Sequence, residues 1–282
     1  MSAVVRTGLA PDGIQAFADS LRPAAADGPA DAVAATIADV RSRGDAAVVD
    51  AIRQFDAPDF AGATARVDPE EMRAAADALD PGLREAILFA ASQVRAVAEA
   101  GMPSGSEATL PAGQSVTVRV LPVAAAGVYA PGGRAAYPSS VIMGVVPAQV
   151  AGVDRIVVAS PPGPDGLPHR VVLAAAALLG VDEVIAAGGA AAIAAMAYGT
   201  ETLAPVDVIT GPGNPWVQEA KRQVFGQVGI DSVAGPSELV VLVDGTADPD
   251  AIAADLLAQA EHGPDSPAIC AARSEEHTSE LQ

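Results

Sequence analysis

Gln259 and His262 stand three residues apart, in a stretch that Asp248-Pro249 opens and Gly263 closes, with Ile252 and Leu256 marking one apolar side. That spacing places a carboxamide and an imidazole on one face of a helix's last turn, where both can reach one ion. Imidazole is a good zinc ligand and a carboxamide oxygen an acceptable one. A histidine in a last turn also serves the helix dipole with no metal present. Two ligands fall short of the three or four that a protein zinc site uses.

Three glycine-bearing turns supply other chemistry. Gly211-Pro212-Gly213-Asn214-Pro215 follows a β-branched run and opens a helix. Its glycines permit close backbone approach, and the helix N-terminus offers unpaired N–H groups to an anion or a ribose hydroxyl. Asn214 also suits the N-cap and Pro215 the first helical position, which needs no ligand. Tyr129-Ala130-Pro131-Gly132-Gly133 ends an apolar segment. A tyrosine there either stacks on a flat ring while its hydroxyl hydrogen-bonds, or packs as an ordinary aromatic. Gly188-Gly189-Ala190-Ala191 is a further turn, without the full G-x-G-x-x-G spacing of a dinucleotide fingerprint.

These turns need a scaffold, and the periodicity describes one. Residues 31–55 carry apolar side chains at helical spacing, interrupted by Gly44, and residues 69–101 repeat the pattern with Asp68 as N-cap and Pro69 following. Beyond Gly101, β-branched runs at 115–120, 155–159, 183–187, 206–210 and 239–243 alternate with helical stretches at 139–150, 169–179, 190–198 and 215–225. Such alternation predicts an α/β fold with a mainly parallel sheet, whose ligands bind at the carboxyl ends of the strands.

Composition narrows the function classes. Half of the 282 residues are hydrophobic, which supports a core made of small aliphatic side chains. A net charge of −19, from 35 acidic against 16 basic residues, repels phosphate backbones and argues against nucleic acid. Cys270 is the only cysteine, so neither an intrachain disulfide nor a cysteine zinc knuckle forms. With no secretory signal and no apolar run long enough to span a bilayer, a cytoplasmic, membrane-free setting is expected. Residues 273–282, RSEEHTSELQ, lack the Ala, Gly and Val that dominate elsewhere and resemble translated sequencing-adapter sequence. They are expected to be a non-native tail, and His277 is set aside with them.

Five motifs in order carry a family resemblance: Val128-Tyr129-Ala130-Pro131-Gly132-Gly133, Ala197-Tyr198-Gly199-Thr200-Glu201, Thr210-Gly211-Pro212-Gly213-Asn214, Ala234-Gly235-Pro236-Ser237-Glu238, and Gln259-Ala260-Glu261-His262-Gly263-Pro264-Asp265. With Arg41-Ser42-Arg43-Gly44-Asp45 and Gln54-Phe55-Asp56 upstream, the chain to about Ala272 resembles the histidinol dehydrogenases. The resemblance implies two incomplete Rossmann-like domains, the second inserted into the first, after a helical N-terminal segment. Residues 1–128 and 237–272 would form the first and 129–236 the second, with 273–282 outside and the small C-terminal domains missing. It implies oxidation of L-histidinol to L-histidine through the aldehyde, with two NAD in succession, by a zinc-containing homodimer of histidine biosynthesis. By position, Tyr129 and Asn214 would contact NAD, Ser237 the substrate, and Gln259 and His262 both zinc and substrate.

Two departures follow. Ala191 stands where most members have an NAD-contacting glutamine, a loss of about 1 kcal/mol for one neutral hydrogen bond. The family's adjacent Glu-His acid/base pair and its remaining zinc ligands lie downstream of Ala272, so the chain as written is expected to be inactive. The alternatives are a related dehydrogenase of another amino alcohol or sulfonated diol, and a non-catalytic NAD-binding remnant.

Overall fold

The computed structural model describes residues 29–132, 136–233, 237–244, 246–260 and 266–272, together with Ala16 and Asp19. The chain divides into two compact units, one of residues 28–233 and one that contains the described residues from 237 onward.

The larger unit begins with α1 (Ala30–Arg43) and α2 (Asp45–Phe55), which break at Gly44, a residue with φ +55°. The reason is local and long-range at once. A Cβ on Gly44 would lie 2.1 Å from Glu201 Oε2, and that carboxylate accepts a hydrogen bond from Asp45 N at 2.7 Å. Glu201 thereby caps α2 from 156 residues away. Arg41 lies over the Tyr198 ring, 4.6 Å from its centre.

The helix expected over 69–101 is two helices, α3 (Pro69–Asp77) and α4 (Pro81–Ala100). Asp68 caps the first by accepting from Glu70 N, and Asp80-Pro81 repeats the device by accepting from Leu83 N. The second cap restarts the chain after Leu79. Next comes an antiparallel hairpin, β1 (Ser106–Thr109) and β2 (Ser115–Val118). The 115–120 run therefore pairs in this exposed hairpin and not in the parallel sheet.

The parallel sheet consists of β3 (Ala125–Tyr129), β4 (Arg155–Ser160), β5 (Glu183–Ala186), β6 (Val208–Thr210) and β7 (Gly229–Ile230). Its spatial order is β5-β4-β3-β6-β7, all parallel. Renumbered within the sheet this is 3-2-1-4-5, the doubly wound order. The connections are α5 (Pro138–Ala151), α6 (Arg170–Leu178), α7 (Gly189–Tyr198) and α8 (Pro215–Val224). One core packs Tyr129, Val157 and Ile209 against α7, α8 and α1; the other packs Val128, Val158 and Val184 against α5, α6 and α3. The α/β expectation with a mainly parallel sheet holds.

The central strand β3 has no β-branched run to announce it, and sequence periodicity passed over it. Its Ala-Ala-Gly composition is set by space: a Cβ on Gly127 would lie 2.7 Å from Met196 Sδ. The seam expected between residues 128 and 129 falls inside this strand, while the compact units meet between 233 and 234.

In the smaller unit β8 (Leu239–Val243) pairs parallel with β9 (Ala268–Ala272), and α9 (Pro249–Ala260) lies between them in sequence. Val240 is 56% and Leu242 80% exposed on alternate positions of β8. An apolar strand face of that kind favours association. A concentrated sample should scatter light strongly, and Val240→Thr with Leu242→Gln should lower the scattering without changing far-UV dichroism. Equal scattering from both proteins would refute this.

Candidate functional site

The strand order reverses between β3 and β6, so loops 129–132 and 211–215 flank the switch point where doubly wound sheets bind ligands. These loops touch. A Cβ on Gly211, whose φ is +118°, would lie 2.1 Å from Tyr129 O. Only glycine permits both the conformation and the approach.

Gly211 is held on both polar atoms. Asp231 Oδ2 accepts from its N–H at 2.9 Å, and Lys221 Nζ donates to its carbonyl at 3.0 Å. Lys221 and Asp231 also pair with each other. Lys221 is 3% exposed, so its ammonium depends on these two oxygen partners, whereas Asp231 is 36% exposed and retains solvent.

Asn214 is the N-cap of α8: its Oδ1 accepts from Trp216 N at 3.0 Å and Val217 N at 3.1 Å, with Pro215 following. The side chain is exposed, and among the described residues its Nδ2 donates to nothing. Tyr129 is 3% exposed, and its hydroxyl accepts from Gly189 N, the first residue of α7, at 3.2 Å. Burial pushes the phenol up to about 12. Ala191, two residues on, is buried in the same first turn. Two buried hydroxyls at the last positions of their strands, Ser160 Oγ on β4 and Thr210 Oγ1 on β6, have no hydrogen-bond partner among the described residues. Unpaired donors and acceptors at strand carboxyl ends suit a ligand rich in hydroxyls and phosphate oxygens.

Asp56 closes the Gln54-Phe55-Asp56 motif, whose pattern assigns it no role. It follows α2 and is half-buried, and burial pushes its carboxyl up to about 6. A Cβ on Gly188 would lie 3.2 Å from Asp56 Oδ2 and 2.9 Å from Pro161 Cβ. The carboxylate thus stands over the ends of β4 and β5, which the sequence alone had no means of revealing.

In the smaller unit, Ser237 and Gln259 come together. Gln259 Nε2 donates to Ser237 O at 2.7 Å and to Ser237 Oγ at 3.1 Å. His262 lies outside the described residues, as do Gly133, Ala234, Gly235 and Pro236. Among the described residues no group of three His, Cys, Asp or Glu side chains is placed to hold a metal. No helix among them is long and apolar enough to cross a membrane.

A profile of the family described as histidinol dehydrogenase matches residues 22–282. The chain belongs to the histidinol dehydrogenase family. The match runs through residues 273–282, which are outside the described residues. The "Histidinol dehydrogenase" of Zymomonas mobilis is 51% identical over 244 residues, covering 86% of this chain and 56% of that protein. The Bacillus licheniformis protein of the same name is 53% identical, covering 82% and 54%. A crystal structure of histidinol dehydrogenase from Elizabethkingia anophelis superimposes with a TM-score of 0.86 at 34% identity, covering 95% of this chain and 62% of that one. The chain spans about half the length of the curated relatives it matches.

Two predictions follow from this geometry. Asp231→Ala should cost about 3 kcal/mol because it strands a buried ammonium, and Lys221→Met should cost less because it frees a carboxylate that water reaches. Urea midpoints decide between them, and a larger loss for Lys221→Met would refute the asymmetry. The second concerns Asp56. The folded state binds its proton more tightly than the unfolded chain, so stability is lost as pH rises from about 4 through 6. Asp56→Asn should therefore melt higher than the parent at pH 7.5 and equal to it near pH 4.

Proposed function

We propose that the protein oxidises L-histidinol to L-histidine through the aldehyde, using two NAD in succession, and that residues 129–132 and 211–215 form part of the NAD surface. The observation that carries this reading is the placement of Tyr129 at the end of β3 and of Asn214 in the turn after β6, the two strands that flank the switch point of a 3-2-1-4-5 sheet, in a chain of this family. NAD supplies the hydride acceptor. The chain's own part there is to hold it: the exposed Nδ2 of Asn214 donates to it, and Gly211 lets it approach the backbone. Ser237 and Gln259, already in hydrogen-bond contact, take up the substrate's polar groups. A zinc on Gln259 and His262 would fix the substrate's amino and imidazole nitrogens in the templating role. The protein would work as a homodimer.

Ala191 favours a second reading, a related dehydrogenase of another amino alcohol, because the residue lost is one that meets the cofactor in most members of the family. Screening NADH formation against a panel of amino alcohols with a full-length protein separates the two.

Asn214→Ser isolates the proposed contact. Serine caps a helix as well as asparagine does but lacks the carboxamide donor. Titration calorimetry should show NAD binding weakened several-fold with the melting temperature unchanged; unchanged affinity would reduce Asn214 to a cap. The 282-residue chain itself should form no NADH from L-histidinol, since the resemblance places the acid/base pair beyond Ala272. Measurable turnover by this chain would overturn that expectation.

A further inference from the structure

Doubly wound dinucleotide sheets carry an acidic side chain at the carboxyl end of their second strand, where it accepts from the ribose of the adenosine half. The second strand of this sheet is β4, and it ends in Ser160-Pro161-Pro162, with no carboxylate. That position is nevertheless not without one. A single point above Gly188 Cα lies within 3.2 Å of Asp56 Oδ2 and 2.9 Å of Pro161 Cβ, so Asp56 sits beside the end of β4 although it arrives from α2.

We propose that Asp56 is the ribose-binding carboxylate of this sheet, accepting hydrogen bonds from the 2′- and 3′-hydroxyls of the adenosine ribose of NAD. This rests on the NAD reading given above. Four observations support it. Among the described residues the Asp56 side chain has no hydrogen-bond or ion-pair partner, yet it is half-buried. Burial keeps a proton on it up to about pH 6 and leaves it ionised at pH 7.5, where a carboxylate is acceptor-only and suited to a diol. The surface beside it is Pro161 and Gly188: a Cβ on Gly188 would lie 3.2 Å from Asp56 Oδ2, so glycine at that position sets no side chain against the carboxylate. Finally, Tyr129 Oη already takes the Gly189 N–H, so the N-terminus of α7 gives one donor less to a phosphate, and the hydroxyl end of the ligand is the better match on this side.

An ionised carboxylate facing a 2′-hydroxyl also repels a 2′-phosphate, so the same residue selects NAD over NADP. The experiment measures dissociation constants of NAD and NADP at pH 7.5 for the 282-residue chain, for Asp56→Asn and for Asp56→Glu, with melting temperatures in parallel. The expected result is NAD binding weakened about ten-fold or more in Asp56→Asn, as for loss of a charge-assisted pair of bonds. NADP binding should hold or tighten, Asp56→Glu should recover part of the preference for NAD, and all three should fold. Unchanged NAD affinity and an unchanged NAD-to-NADP ratio in a folded Asp56→Asn overturn the role of Asp56 and leave the NAD reading standing. An unaltered chain that binds neither nucleotide overturns both.

Discussion

Gly211 is the point on which the larger unit's functional end depends. Its carbonyl and its amide are both taken by charged side chains, Lys221 from the helix that follows and Asp231 from beyond the next strand. Those bonds lock a φ of +118° and press the residue against the Tyr129 carbonyl. Loss of that geometry would separate the ends of β3 and β6, and with them the two loops placed at the switch point. The buried ammonium makes the lock conditional: it holds because Lys221, out of water itself, is satisfied by the Gly211 carbonyl and by the solvent-facing Asp231 carboxylate.

Much of this was legible from sequence. Asp68-Pro69 and Asn214-Pro215 announced helix starts, and both caps are formed with their side-chain oxygens on backbone N–H groups. Strands with branched side chains were read to within a residue or two at β4, β5 and β8. The central strand β3 was not, because its residues are small for tertiary reasons, and β-propensity measures the fit to a half-buried surface. The break at 78–80 was hidden within one long helical period, although Asp80-Pro81 carried the same signal as Asp68-Pro69. Asp56 was invisible as a functional residue since nothing in a local window tells where a helix's last side chain will be carried.

The motifs that identified the family divide by physical role. Arg41 to Asp45 and Tyr198 to Glu201, far apart in sequence, form one clasp: a ring under a guanidinium, a carboxylate on a helix N-terminus, and Thr202 Oγ1 donating to Asp45 Oδ1. Their pattern reports folding. By contrast, 129–132 and 211–215 spend little of their side-chain chemistry on one another and leave donors and acceptors open. Resemblance alone weighs both kinds equally, and only the hydrogen-bond partners separate them.

The make-up of α7 has a consequence for how this protein can change over time. Every residue from Ala190 to Ala197 is buried, and apart from Ile193 and Met196 each fills its place with a single methyl group. Apart from Ala191, such a layer has no small steps available: enlarging any other of those alanines overpacks a tightly filled core. α8, with Val217, Ala220, Lys221 and Val224 inward and the rest partly or wholly in water, can drift on its outer face while its buried stripe stays fixed. One wall beside the switch point is thus frozen by volume and the other by a single charge pair, so lineages can vary the second far more readily than the first.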